Sequence, residues 1–243
     1  IQGMTPERKV KPLIVFFFEG GPIIFWTVRR ADLVGAKARF LQKKAKKVYG
    51  LRKDVMLLPN IEDIPKRLPK KEKRPTVIYV GRLEGVKRVR RVFKLASKRP
   101  DVDFIIVGKA ENRTVQKSLE RRMRKISNIS YKGYIDKFHK DELEKLYARS
   151  WIIVNTSFKE GLPISFIEAC GHGCAVLSRL DPDNFASRFG VLVTNDRFEQ
   201  GLDALLQGDR WRARGQAGHK YVYGVYRREV AERAHLQAYR QVL

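Results

Sequence analysis

Short apolar runs alternate with longer amphipathic ones along most of the chain. Residues 76–80 (TVIYV), 103–107 (DFIIV), 129–132, 151–155 (WIIVN), 175–178 (AVLS) and 190–193 read as strands. Between them, 86–97, 115–125, 141–148, 163–170 and 197–206 repeat apolar positions every three or four residues, which predicts helices. The strand runs are apolar at nearly every position rather than at alternate ones, as in a sheet covered on both faces. Strands alternating with helices of this length predict βαβ units and an α/β fold built on a Rossmann-like, doubly wound parallel sheet. Upstream, 31–36 and 55–58 also read as strands, with a helix over 38–49 that Gly50 ends. Residues 227–243 have helical periodicity and no strand to accompany it.

The stretch 65–75 (PKRLPKKEKRP) is rich in Pro and Lys and almost devoid of apolar residues. We place a linker there. The expected organisation is a partial N-terminal α/β segment over 1–64, the linker, a ligand-binding Rossmann-like domain over 76–225, and a C-terminal helix over 226–243 that braces the N-terminal part. The apolar stretch 13–28 is interrupted by Glu19, Gly20, Gly21 and Pro22, so it fails as a spanning helix. It reads either as core strand and helix or as an interfacial segment, with Phe16, Phe17, Phe18, Phe25 and Trp26 flanked by Lys9, Lys11, Arg29 and Arg30.

Composition narrows the partners. With 51 Lys and Arg against 26 Asp and Glu, the formal net charge is +25, which implies an anionic partner: nucleic acid, an acidic membrane surface or a phosphorylated ligand. Two cysteines, Cys170 and Cys174, cannot form a disulfide scaffold and fit a reducing compartment. With His172 between them they suggest a metal site or a buried, reduced pair. A closed zinc site needs a fourth ligand and wider spacing, and no second cluster exists in the sequence. The basic runs near 88–91 and 121–125 come without a recognised nucleic-acid motif, so no nucleic acid is expected.

Two segments carry candidate chemistry. In Glu160-Gly161-Leu162-Pro163-Ile-Ser-Phe-Ile-Glu168, a strand runs through a short turn into a helix whose start, with its unpaired N–H groups, attracts phosphate. Carboxylates accept hydrogen bonds from sugar and ribose hydroxyls. The alternative is a helix-start charge at Glu160 and a surface residue at Glu168. In Gly81-Arg82-Leu83-Glu84-Gly85-Val86-Lys87, a second strand meets a glycine turn. Arg82 offers a planar fork for phosphate oxygens and Lys87 a point charge. The alternative is a solvated basic face, since Arg88, Arg90, Arg91 and Lys94 follow.

The Glu160-x7-Glu168 element resembles the E-x7-E signature of retaining glycosyltransferases of family 4 (glycosyl transferases group 1), and Gly81-Arg82-Leu83 with Lys87 resembles that family's G-R-L-x-x-x-K motif. Lys132-Gly133-Tyr134-Ile135 resembles its loop near the nucleotide base, and Leu58-Pro59-Asn60 its P-N-G segment between domains. The resemblance implies the C-terminal, donor-binding domain of a GT-B fold. It implies transfer of a glycosyl group from a nucleotide-diphosphate sugar of UDP or GDP type to a glycan or lipid-linked acceptor, with retention of configuration and neither metal nor cofactor. Arg82 and Lys87 would hold the diphosphate, Glu160 with Gly161 and Leu162 the donor sugar, Glu168 the ribose, and Gly81, Gly133, Tyr134 and Ile135 would complete the nucleotide site. The expected location is the cytoplasm, in peripheral contact with anionic membrane. The sequence departs from the family at Ala38 (usually Ser), Ile61 and Ala110 (usually Gly), and Arg88, where Gly often follows the Lys. Only residues 1–64 precede the linker and no histidine lies among them, so the acceptor half is expected to be largely absent. That leaves a non-catalytic nucleotide-sugar-binding module as the alternative.

Overall fold

The computed structural model describes residues 21–83, 85–136 and 140–241. Two parallel sheets organise the chain. The smaller pairs β1 (Val34–Ala36) with β2 (Val55–Leu57). It carries helices α1 (Pro22–Arg30) and α2 (Arg39–Tyr49). The larger contains β3 (Thr76–Val80), β4 (Asp103–Val107), β5 (Ile129–Tyr131), β6 (Ile152–Asn155), β7 (Ala175–Ser178) and β8 (Gly190–Leu192), in the order β5-β4-β3-β6-β7-β8. Every pairing is parallel. The chain winds outward from β3 to one edge, then returns beside β3 and winds to the other. The β3/β6 boundary is therefore the topological switch point, where open α/β sheets form their ligand crevice.

Alternate residues of the central strands feed two cores. Val77, Tyr79, Phe104, Ile106, Ile152 and Val154 face α3 (Arg90–Lys98), α4 (Arg113–Met123) and α8 (Phe198–Leu206). Ile78, Ile105, Ile153 and Val176 face α5 (Lys140–Arg149), α6 (Ile164–Gly171), α7 (Phe185–Phe189) and α9 (Arg210–Val225). Helix α3 shows the patterning: Val92, Phe93, Leu95 and Ala96 are buried, and Arg90 and Lys94 lie outside. At the start of α4, the Asn112 side chain accepts hydrogen bonds from the backbone N–H groups of Thr114 and Val115 at 2.8 and 3.1 Å, satisfying two orphan donors.

The structure corrects several boundaries and adds two helices. The strand expected over 31–36 starts only at Val34, because α1 continues to Arg30. Of the apolar stretch 13–28, residues 13–20 lie outside the described residues. Helix α1 answers to both readings: Phe25 and Val28 pack against the core cluster around α2, while none of its residues is fully buried and Ile23 and Trp26 are 79% and 59% exposed. The helix expected from residue 86 begins at Arg90, after a 3-10 turn (Gly85–Lys87) and Arg88 at φ 53°. Helices α7 and α9 were not anticipated.

The 65–75 segment has no helix or strand, yet it is docked. The Lys71 ammonium donates to the backbone carbonyls of Tyr147, Ser150 and His172 at 3.2, 2.5 and 2.7 Å. Helix α10 (Arg228–Tyr239) lies against the chain just before that segment. Arg228 forms a two-pronged ion pair with Asp63, and His235 reaches the Pro59 carbonyl at 2.9 Å.

Candidate active site

Loops from the carboxyl ends of β3, β4 and β5 meet first through backbone. Gly81 N–H donates to the Val107 carbonyl at 3.0 Å, and Gly108 N–H to the Gly133 carbonyl at 2.7 Å. Gly108 has φ 137°, and a Cβ there would overlap the Gly81 carbonyl oxygen. A side chain is excluded at Gly108, which joins the predicted residues Gly81 and Gly133 through backbone. Tyr134 stands exposed beside it with the Lys109 ammonium 4.4 Å from its ring centroid, and Ile135 packs into the core behind.

Across the switch point, the β3 and β6 loops meet through side chains. The Lys87 ammonium donates to Glu160, in an ion pair whose side chains are only 20% and 13% exposed. Ser157, fully buried, donates its hydroxyl to the same carboxylate oxygen at 2.7 Å. Thr156 donates to the Lys87 carbonyl at 2.8 Å, and Phe158 N–H to the Val86 carbonyl at 2.7 Å. Thr156 and Ser157 thus clasp the backbone of Lys87 and the head group of Glu160 together. Sequence reasoning missed both, although they sit three and four residues before Glu160. Tyr79 was missed too. Its hydroxyl donates to the Arg82 carbonyl at 2.7 Å. Burial, reinforced by the charge on Glu160 and opposed by Arg82, raises its pKa and keeps the phenol protonated.

The remaining predicted residues are spread around this pair. The Arg82 guanidinium points outward and pairs with exposed Glu111 at 2.7 Å. Gly161 has open space where a side chain would stand. Leu162 packs against both the second core and the cluster around α2, so the loop is wedged between the two sheets. Glu168, on α6, accepts from the Tyr147 hydroxyl at 2.9 Å and lines a small cavity with Ile64 and Leu143. No hydrogen bond described here joins it to Glu160. Contrary to the helix expected over 86–97, Lys87 does not stand at a helix start: it ends a 3-10 turn, and Arg88 and Val89 separate it from α3.

The Cys170/Cys174 pair is buried and unbridged. Burial raises both thiol pKa values, which keeps them protonated and inert. His172 ends α6, with Nδ1 2.9 Å from the Glu168 carbonyl. Among the described residues, no three His, Cys, Asp or Glu side chains are grouped to hold a metal ion.

Comparison with known proteins matches this arrangement to a family. The chain is 27% identical over 148 residues to the Escherichia coli O-antigen biosynthesis glycosyltransferase WbnH, an alignment covering 60% of this chain and 38% of that protein. It superposes on a crystal structure of an S. aureus TarM mutant, in complex with fondaparinux, alpha-GlcNAc-glycerol and UDP, with TM-score 0.73 at 18% identity, covering 98% of this chain and 49% of that one. Against Anabaena HepE in complex with UDP-glucose the TM-score is 0.70 at 15% identity, covering 93% and 68%. The chain thus spans well under half the length of the curated relative and about half that of TarM. The sequence model described as "Glycosyl transferases group 1" matches residues 60–184, just over half of the chain and all of the loops described above, so the chain belongs to the glycosyl transferases group 1 family.

Proposed function

We propose that this chain provides the donor-binding side of an enzyme that transfers a glycosyl group from a UDP- or GDP-sugar to a glycan or lipid-linked acceptor, with retention of configuration. The observation that carries the reading is the Lys87–Glu160 pair, clasped by Thr156 and Ser157 across the β3/β6 switch point. An ammonium has three donors. Lys87 can hold Glu160 with one and phosphate oxygens with the others, countering the charge that develops on a departing diphosphate. Arg82 is exposed on the same loop and can swing from Glu111 onto that diphosphate. Glu160, fixed by Ser157, is oriented to accept from hydroxyls of the donor sugar. UDP in the TarM complex and UDP-glucose in the HepE complex support a nucleotide-sugar donor, and WbnH supports a glycan acceptor. Glu168 is assigned to the ribose by the family motif. The cations of this chain counter the charge on the diphosphate, and no cofactor is part of the proposal.

Peripheral contact with an anionic membrane belongs to the same proposal. Helix α1 exposes Ile23, Ile24 and Trp26 beside Arg29 and Arg30, an apolar and basic surface suited to a lipid interface. No helix among the described residues is long and apolar enough to cross a membrane.

Slow hydrolysis of the donor by this chain, followed by proton NMR, tests the reaction. The freshly released sugar is expected with the anomeric configuration of the donor. Release of the opposite anomer would overturn retention.

A further inference from the structure

Beyond β6, the sheet ends in a second charged cluster that the donor reading does not use. Asp196, after β8, accepts from Arg88 at 2.8 Å and lies 3.0 Å from Arg91 and 3.7 Å from Arg179, the residue after β7. Three guanidinium groups face one carboxylate, and all four side chains are at least partly withdrawn from water. Arg88 holds the Asp196 carboxyl below the usual carboxylate range, with Arg91 and Arg179 adding to it. Asp196 accepts from Arg88 through Oδ2, while its Oδ1 is closed off from solvent without a hydrogen-bond partner among the described residues, so three positive charges face one negative charge that is itself only half engaged. Arg179 Nη1 is closed off from solvent and has no hydrogen-bond partner among the described residues.

The backbone adds an independent observation. Arg88 has φ 53° and Asp196 φ 57°. Both are left-handed conformations that a side chain adopts at a cost and glycine adopts freely. Aspartate visits this region more readily than most residues, so the strain that points to function lies at Arg88, the residue that pairs with Asp196.

Position indicates what the cluster would bind. Lys87 and Glu160 follow the central strands β3 and β6, and the Gly133-Tyr134 loop assigned to the base follows the β5 edge. Arg179 and Asp196 follow β7 and β8, on the opposite side of the pair. Arg88 adjoins Lys87 in the chain, and Arg179 stacks 5.0 Å over Phe158, two residues before Glu160. A donor laid from β5 toward β6 would therefore present its sugar end to these arginines.

We infer that Arg88, Arg91 and Arg179 form an anion subsite at the sugar end of the cleft, which takes a carboxylate or phosphate carried by the transferred sugar or by the acceptor sugar. This rests on the donor-binding reading above. Guanidinium groups bind such oxyanions through paired, charge-assisted hydrogen bonds.

Titration calorimetry on the full chain tests it. UDP and GDP alone establish the nucleotide site. UDP-glucuronate against UDP-glucose, with GDP-mannuronate against GDP-mannose, asks whether the anion lies on the donor. Methyl glucuronide and glucose 6-phosphate against methyl glucoside, each with saturating nucleotide, ask whether it lies on the acceptor. On one arm the acidic ligand should bind about tenfold more tightly than its neutral counterpart. Arg88→Gly and Arg179→Gln should each bring that ratio toward one. Circular dichroism on both variants checks that each stays folded at the temperature of the titration. Nucleotide binding with no acidic preference on either arm would overturn the subsite, as would a preference that survives both substitutions. Failure of both UDP and GDP to bind would remove the donor-binding reading and this inference with it.

Discussion

The shared carboxylate oxygen of Glu160 is where Lys87 and Ser157 converge, and it sets a competition. In the free protein Glu160 takes part of the charge that Lys87 would offer a phosphate. Replacing Glu160 with Gln removes that competitor while keeping the side chain's shape. UDP, or GDP if that is the base, should therefore bind Glu160→Gln at least as tightly as wild type. The extra affinity from the sugar of the corresponding nucleotide sugar should fall by about tenfold, since a charged acceptor is lost. Calorimetry with nucleotide and nucleotide sugar side by side reads both effects, and a parallel loss for the two ligands would show that Glu160 acts only on folding. Lys87 and Glu160 were legible as candidates because each follows a strand within a recognisable motif. Their contact was not legible, since 73 residues separate them. Ser157, Thr156 and Tyr79 were invisible for the same reason: a hydroxyl's role depends on a partner that only the fold supplies.

At the scale of elements, helix α2 is preceded by Ala38, whose methyl side chain cannot accept a hydrogen bond from the first turn. The cap comes from Asp183, whose carboxylate accepts from the backbone N–H groups of Arg39 and Phe40 at 2.8 and 2.7 Å. Asp183 lies in the turn after β7, so a missing local signal became a contact between the two sheets. Asp183→Ala should cost about 1 kcal/mol and lower the melting temperature by roughly 2–4 °C, read by circular dichroism. An unchanged melting temperature would mean that water replaces the cap without loss. The strands of the larger sheet were legible because both of their faces are covered and their sequences are apolar throughout. Helix α9 was not, because its glycines obscure the helical pattern. They are there for packing: a Cβ at Gly215 would overlap the Gly173 carbonyl oxygen, and one at Gly218 would press on Cys170 Sγ at 3.1 Å. Close approach to the end of α6 has overridden helix propensity.

Across the whole molecule, the charge of +25 serves both surfaces and sites. Part of it converges on the cleft as Arg82, Lys87, Arg88 and Arg179, and much of the rest lies outside. With the apolar residues of α1, it predicts sedimentation with vesicles containing anionic lipid, weakening as salt rises and weaker still in Trp26→Ala. Equal binding to neutral vesicles would contradict an electrostatic contribution. The sequence order of the motifs made the doubly wound sheet and its crevice readable. The docking of 65–75 by Lys71 onto three buried-side carbonyls was not, because a lysine-rich run reads as solvated linker until its partners are known. The central claim is that Lys87, paired with Glu160 at the switch point, holds the diphosphate of a nucleotide sugar. Calorimetric titration of wild type and Lys87→Met with UDP and GDP tests it most directly. The account predicts one molecule of nucleotide bound per chain, with affinity falling at least about tenfold in Lys87→Met while the protein stays folded; nucleotide binding that is absent from wild type, or unchanged in a folded Lys87→Met, would contradict it.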